Sequence, residues 1–122
     1  MSGQGSVITV VEDDAGMAKA IARLLRAKGF RVEVFDSAEA FLASSSVNEA
    51  RCLVVDIQLG GMSGLDLCRT LAANGSQAAF VFITALEDCE LKKAAFEAGG
   101  VAYIRKPFLS DVLVAAIDKA SV

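Results

Sequence analysis

Five apolar runs rich in β-branched residues recur along this chain, and an amphipathic stretch follows each of them. The runs are SVITVV (6–11), FRVEVF (30–35), CLVVDI (52–57), AFVFITA (79–85) and VAYI (101–104). All are of strand length, and near-continuous apolarity marks strands buried on both faces. FRVEVF alternates instead, so it is a strand with one wetter face. The stretch 15–29 sets Met17, Ile21, Leu24 and Leu25 at helical spacing, with Asp14 to cap its start and Gly29 to end it. Segment 37–45 opens on a serine cap and reads as a short helix, 65–75 is a helix stopped by Asn-Gly, and 87–100 is closed by two glycines. In the last helix, 109–120, Leu109, Val112, Leu113, Ala116 and Ile117 share one face.

Strict alternation of buried strands with helices implies a parallel sheet covered on both sides. Right-handed crossovers make it a doubly wound (βα)5 sandwich, an α/β fold. The expected sheet is five-stranded and flavodoxin-like, with order 2-1-3-4-5. One domain over residues 6–122 uses the whole pattern, and residues 1–5 read as a disordered lead or an expression remnant. No repeat, linker or span of about 20 apolar residues interrupts it. The start lacks the basic and apolar regions of a signal peptide, so the expected location is cytoplasmic. A net charge of −3 argues against a nucleic-acid surface. Cys52, Cys68 and Cys89 are too few and too scattered for a disulfide framework or a zinc site, and are expected as reduced, buried small hydrophobes. The chain has no histidine, which removes imidazole acid–base chemistry and imidazole metal ligands.

In a parallel sheet all carboxyl ends lie along one edge, where ligands bind at the switch point. This chain places Glu12, Asp13 and Asp14 after strand 1, Asp56 at the end of strand 3, Thr84 at the end of strand 4 and Lys106 after strand 5, with only Asp36 after strand 2. Any one of these can be an ordinary polar loop residue or a helix cap. Their joint convergence is a stronger signal. Carboxylates without histidine or thiolate suit a hard cation with oxygen ligands, Mg²⁺ above all, which completes its shell with waters and phosphate oxygens. A lysine is a compact point charge for a phosphoryl group, a threonine hydroxyl can donate to another of its oxygens, and a carboxylate can itself be the nucleophile. The edge reads as a site for cation-assisted phosphoryl transfer onto a carboxylate.

VVEDD, VVDIQLGGMSGLDL, FITA and YIRKPF, in this order and spacing, resemble the receiver domain of two-component response regulators over about residues 7–120. SAEAFLA adds a slight resemblance to the nitrogen-fixation regulators among them. The resemblance implies that Asp56 is the phosphoacceptor, taking the group from a phosphohistidine of a histidine kinase or histidine phosphotransfer protein. It implies that Glu12, Asp13, Asp56 and the backbone carbonyl of Gln58 hold Mg²⁺ or Mn²⁺. Thr84 becomes the switch hydroxyl, Tyr103 the switch aromatic, Lys106 the phosphate-binding cation, and the Lys106–Pro107 peptide is expected to be cis. The activity implied is that of a signalling phosphoacceptor that catalyses only its own phosphorylation and dephosphorylation, not of an enzyme acting on other substrates. Phosphorylation is expected to draw Thr84 and Lys106 inward, let Tyr103 rotate, and reshape the surface of helix 4, strand 5 and helix 5. That surface would face a downstream effector, a tethered output domain or a second copy in a phosphorylation-dependent dimer; no contact of this domain with nucleic acid or membrane is implied.

Two departures stand out. Glu12 replaces the commoner aspartate, which favours contact through a metal-bound water. Gly60-Gly61 stands where the family usually has a proline, which should loosen the loop. Other residues have plainer readings: Asp14 as a helix cap, Asp66 as a surface acid, Met17 and Met62 as packing, Arg105 facing away from Lys106. The chain reads either as a complete single-domain regulator or as the receiver of a longer protein. Rival classes remain: a flavodoxin-like electron carrier, whose phosphate would meet three acids after strand 1; a haloacid-dehalogenase-like phosphatase, which needs an acid where Gln58 stands; and a receiver-shaped binding module that takes no phosphate.

Overall fold

A computed structural model describes residues 7–120; the segment read as a disordered lead lies outside them. Five strands, β1 (Val7–Val11), β2 (Arg31–Phe35), β3 (Cys52–Asp56), β4 (Ala79–Thr84) and β5 (Gly100–Arg105), alternate with five helices. The helices are α1 (Ala15–Ala27), α2 (Ala38–Leu42), α3 (Gly64–Ala73), α4 (Cys89–Glu97) and α5 (Ser110–Ala120). All strand pairs are parallel, in the order β2-β1-β3-β4-β5. The doubly wound, flavodoxin-like arrangement read from the alternation is the one observed.

The pleat sorts the strands' side chains between two cores. Val11, Leu53, Val55, Phe80 and Phe82 pack with Phe41 of α2, with Leu67 and Leu71 of α3 and with Ala95 of α4. Their strand neighbours Ile8, Val10, Cys52, Val54, Val81 and Ile83 face the other way, onto Ile21 and Leu25 of α1 and Leu113 and Ile117 of α5. β3 is buried at all five positions, which explains its apolar run Cys52–Val55 ahead of Asp56, whereas edge strand β2 buries only Val32. Burying side chains such as Leu53 or Phe82 stabilises the fold by roughly 1.5–3 kcal/mol each.

Caps set the helix starts. The Asp14 carboxylate accepts from Met17 N–H at 3.0 Å, Ser37 Oγ from Ala40 N–H at 3.0 Å, and Asp88 Oδ1 from both Glu90 and Leu91 N–H. The second helix is shorter than the sequence reading. It ends at Leu42, and a 3-10 turn (Ser45–Asn48) follows. Ser44 causes the break: its hydroxyl donates to Phe41 O at 2.7 Å and accepts from Ser46 N–H, a local alternative to helical bonding.

The cysteine expectation holds for two residues of three. Cys52 and Cys68 are buried, and burial pushes their thiols up to about 12 and about 11. Cys89 is exposed, as the first residue of α4, where apolar packing has not yet begun. No helix among the described residues is long and apolar enough to cross a membrane.

Candidate phosphoacceptor site

Each acid reaches the carboxyl edge because its strand ends there. Glu12 follows β1 directly and is held by its own N–H, which donates to Phe35 O at the end of β2. Its side chain is fully buried. One oxygen accepts from Asp14 N–H at 3.1 Å, and the other from the Lys106 ammonium at 2.8 Å. Asp56, the last residue of β3, is also buried. Its Oδ1 accepts from Gln58 N–H at 2.8 Å and its Oδ2 from Lys106 Nζ at 2.9 Å. Asp13 is exposed and accepts from Gly60 N–H at 3.3 Å across the sequence. One oxygen from each of Glu12, Asp13 and Asp56 lies within 4.8 Å of the others.

Lys106 reaches the pocket from beyond β5. Its N–H donates to Thr84 O at 2.7 Å, and a cis peptide joins it to Pro107. Thr84 is fully buried at the end of β4, one residue past Ile83, which pairs with Asp56. Its Oγ1 accepts from Leu86 N–H at 3.1 Å. Tyr103 is half-buried at the rim, and its hydroxyl donates to Leu86 O at 3.4 Å. Thr84 and Tyr103 therefore meet on one residue, Leu86. Arg105 points away, as alternation requires, and pairs with Glu87 at 3.0 Å on the surface.

Charge and burial oppose each other here. Burial pushes the Glu12 carboxyl above its ordinary value, and the Lys106 hydrogen bond offsets part of that. Burial would lower the Lys106 ammonium, but hydrogen bonds to Asp56 and Glu12 outweigh it and hold its pKa above the usual lysine value. Two buried carboxylates and a third at the mouth face one ammonium, a net negative pocket. Its oxygen-only donors at this spacing fit a hard divalent cation.

The glycine pair expected to loosen the following loop lies between two hydrogen-bonded residues. Asp13 holds Gly60, and Glu39 Oε2 of α2 accepts from Met62 N–H at 2.8 Å. Gly61 has φ +77°, and a Cβ there would lie 2.6 Å from Glu39 Oε2. Gly64, the first residue of α3, passes so close to the strand end that a Cβ would sit 2.5 Å from Asp56 O. Glu39 was not among the residues singled out from the sequence. Its partner is 23 positions away, and no local pattern marks the pair.

An acidic, lysine-braced pocket at the switch edge of a 2-1-3-4-5 parallel sheet defines a signalling receiver rather than a flavin carrier, whose phosphate it would repel. The response regulator receiver domain family matches residues 8–118, and the chain belongs to that family. Response regulator protein TmoT of Ectopseudomonas mendocina is 38% identical over 120 residues, which are 98% of this chain and 54% of that protein. Transcriptional regulatory protein FixJ of Rhizobium meliloti is 35% identical over 114 residues, 93% of this chain and 56% of FixJ. The crystal structure of FixJ-N superposes with TM-score 0.87 at 35% identity, covering 95% of this chain and 93% of that one. StyR superposes with TM-score 0.88 at 36% identity, covering 95% of this chain and 59% of its own. FixJ is thus among the matching relatives, and the chain spans about half the length of the curated relatives it matches.

Proposed function

We propose that Asp56 is the phosphoacceptor of a two-component pathway, and that Glu12, Asp13, Asp56 and the Gln58 carbonyl hold Mg²⁺ or Mn²⁺ beside it. The observation that carries this reading is the Asp56 carboxylate itself: buried, oriented through Gln58 N–H on one oxygen and Lys106 on the other, and within 4.8 Å of two further carboxylate oxygens. A bound divalent cation would screen the incoming phosphoryl oxygens from the three acids.

The chain's own groups do the rest. An Asp56 oxygen attacks phosphorus as the P–N bond of a partner's phosphohistidine breaks, and the electron pair stays on the imidazole nitrogen, which then takes a proton. Lys106, already bonded to Asp56, follows the new charge onto a phosphoryl oxygen. The Thr84 hydroxyl, at the end of the strand next to that of Asp56, turns toward the same group. That turn releases Leu86 N–H, and Leu86 is also where Tyr103 is tethered, so one local charge event reaches the rim. Beside it α4 exposes Phe96, β5 exposes Val101, and α5 with the residue before it exposes Val112 and Leu109, apolar groups suited to an output domain, an effector or a second copy. Histidine kinase or phosphotransfer protein upstream, and a cytoplasmic setting, complete the proposal; as a phosphoacceptor the domain turns over only its own phosphate.

Incubation with Mg²⁺ and acetyl phosphate tests it by intact mass. One phosphoryl group is expected on the unaltered chain and none on Asp56→Asn. Retention of the added mass in Asp56→Asn would defeat the assignment.

A further inference from the structure

The segment after Asp56 has two external anchors, and they differ in kind. Asp13 grips Gly60 N–H at 3.3 Å, a long bond made by a carboxylate that also faces the cation pocket. A cation that draws on the same Asp13 oxygen would compete with that grip. Glu39 grips Met62 N–H at 2.8 Å from α2 and does not belong to the acidic cluster. Gly61 is shaped for it: the left-handed φ of +77° and the missing side chain let Glu39 Oε2 approach the backbone, where a Cβ would stand 2.6 Å away. The amide donor also holds the Glu39 carboxyl below its ordinary range, so the acceptor is charged at neutral pH.

We propose that Glu39 is a positioning residue for the pocket, the cation-independent anchor that keeps the Gln58–Met62 backbone in place when Asp13 turns to a metal ion. The inference rests on the reading of Glu12, Asp13 and Asp56 as the cation site. Glu39 acts through the backbone it holds and touches no reacting atom. Its loss leaves a glycine pair with one competing tether, so ordering that segment becomes a cost of every binding event.

Isothermal titration of Mg²⁺ into the full chain, Glu39→Ala, Glu39→Gln and Asp56→Asn tests this. Glu39→Ala should bind roughly 10-fold more weakly, the scale of a lost outer-shell support. Glu39→Gln should recover most of the affinity, because its amide carbonyl still accepts from Met62 N–H. Unchanged affinity in Glu39→Ala overturns the inference alone. So does equal weakening in Ala and Gln, which would make Glu39 a long-range charge rather than an anchor. Absence of binding to the unaltered chain, or full binding by Asp56→Asn, overturns the cation site and this inference with it.

Discussion

Replacing Lys106 with methionine keeps most of the stem and deletes the ammonium. Two buried carboxylates lose their shared partner: Glu12 at 2.8 Å, with its side chain 0% exposed, and Asp56 at 2.9 Å, with 7% exposed. Stranding one partner of a buried ion pair costs about 3–5 kcal/mol, and the lower figure suits a pocket with an open mouth. In a domain of this size about 3 kcal/mol lowers Tm by roughly 10 °C. The loss must depend on pH. A carboxyl whose folded pKa is raised stabilises the fold below its unfolded value of 4.5 and loses that contribution as pH rises through the folded value. Lys106→Met removes the pull that holds Glu12 down, so the window extends upward, and the deficit is larger at pH 8 than at pH 5. The ammonium itself adds no slope there, since a raised lysine gives its full contribution below 10.5. Mg²⁺ no longer competes with lysine for the same oxygens, so it should raise Tm more in the variant than in the unaltered chain. Thermal unfolding followed by circular dichroism at both pH values, with and without Mg²⁺, reads all three. An equal deficit at pH 5 and pH 8, with no extra gain from Mg²⁺, would refute the account of the pocket as carboxylates held by one ammonium.

Three further substitutions probe separate parts of the structure. Gly64→Ala forces a methyl against Asp56 O and Ile57 Cα; about 1–3 kcal/mol of stability should go, with a loss of phosphorylation rate larger than that of an exposed α3 variant in an acetyl phosphate time course. Leu53→Ala empties a fully buried site on β3 and should cost about 2–5 kcal/mol in urea unfolding with little change in m. Asp88→Ala removes one acceptor from two amides at the start of α4; a loss of about 1 kcal/mol is expected, with earlier hydrogen exchange at Glu90 and Leu91.

The central strands were legible because burial on both faces leaves little room for polar residues: the first four positions of β3, Cys52–Val55, are buried and all apolar. The acids, Thr84 and Lys106 were legible for the opposite reason, as polar residues placed where strands must stop. What local pattern could not show was tertiary. Ser44 ends α2 by bonding back to Phe41 and capping the next turn, a choice that a helical reading of 37–45 does not contain. The tethers of the Gly60–Met62 segment come from Asp13 and Glu39, carboxylates supplied by other elements. Cys89 shares its helix with apolar residues, yet its place in the first turn leaves it facing solvent.

That last position has a practical use. Cys52 and Cys68 lie inside the two cores with thiols pushed to about 12 and about 11, so at mildly alkaline pH a maleimide or a nitroxide reagent should find a single target on the native protein. The label would sit beside the Asp88 cap, at the head of the helix that begins just past Leu86. A spectroscopic reporter can thus be installed without altering one codon, at the point where rearrangement of Thr84 would first be passed on.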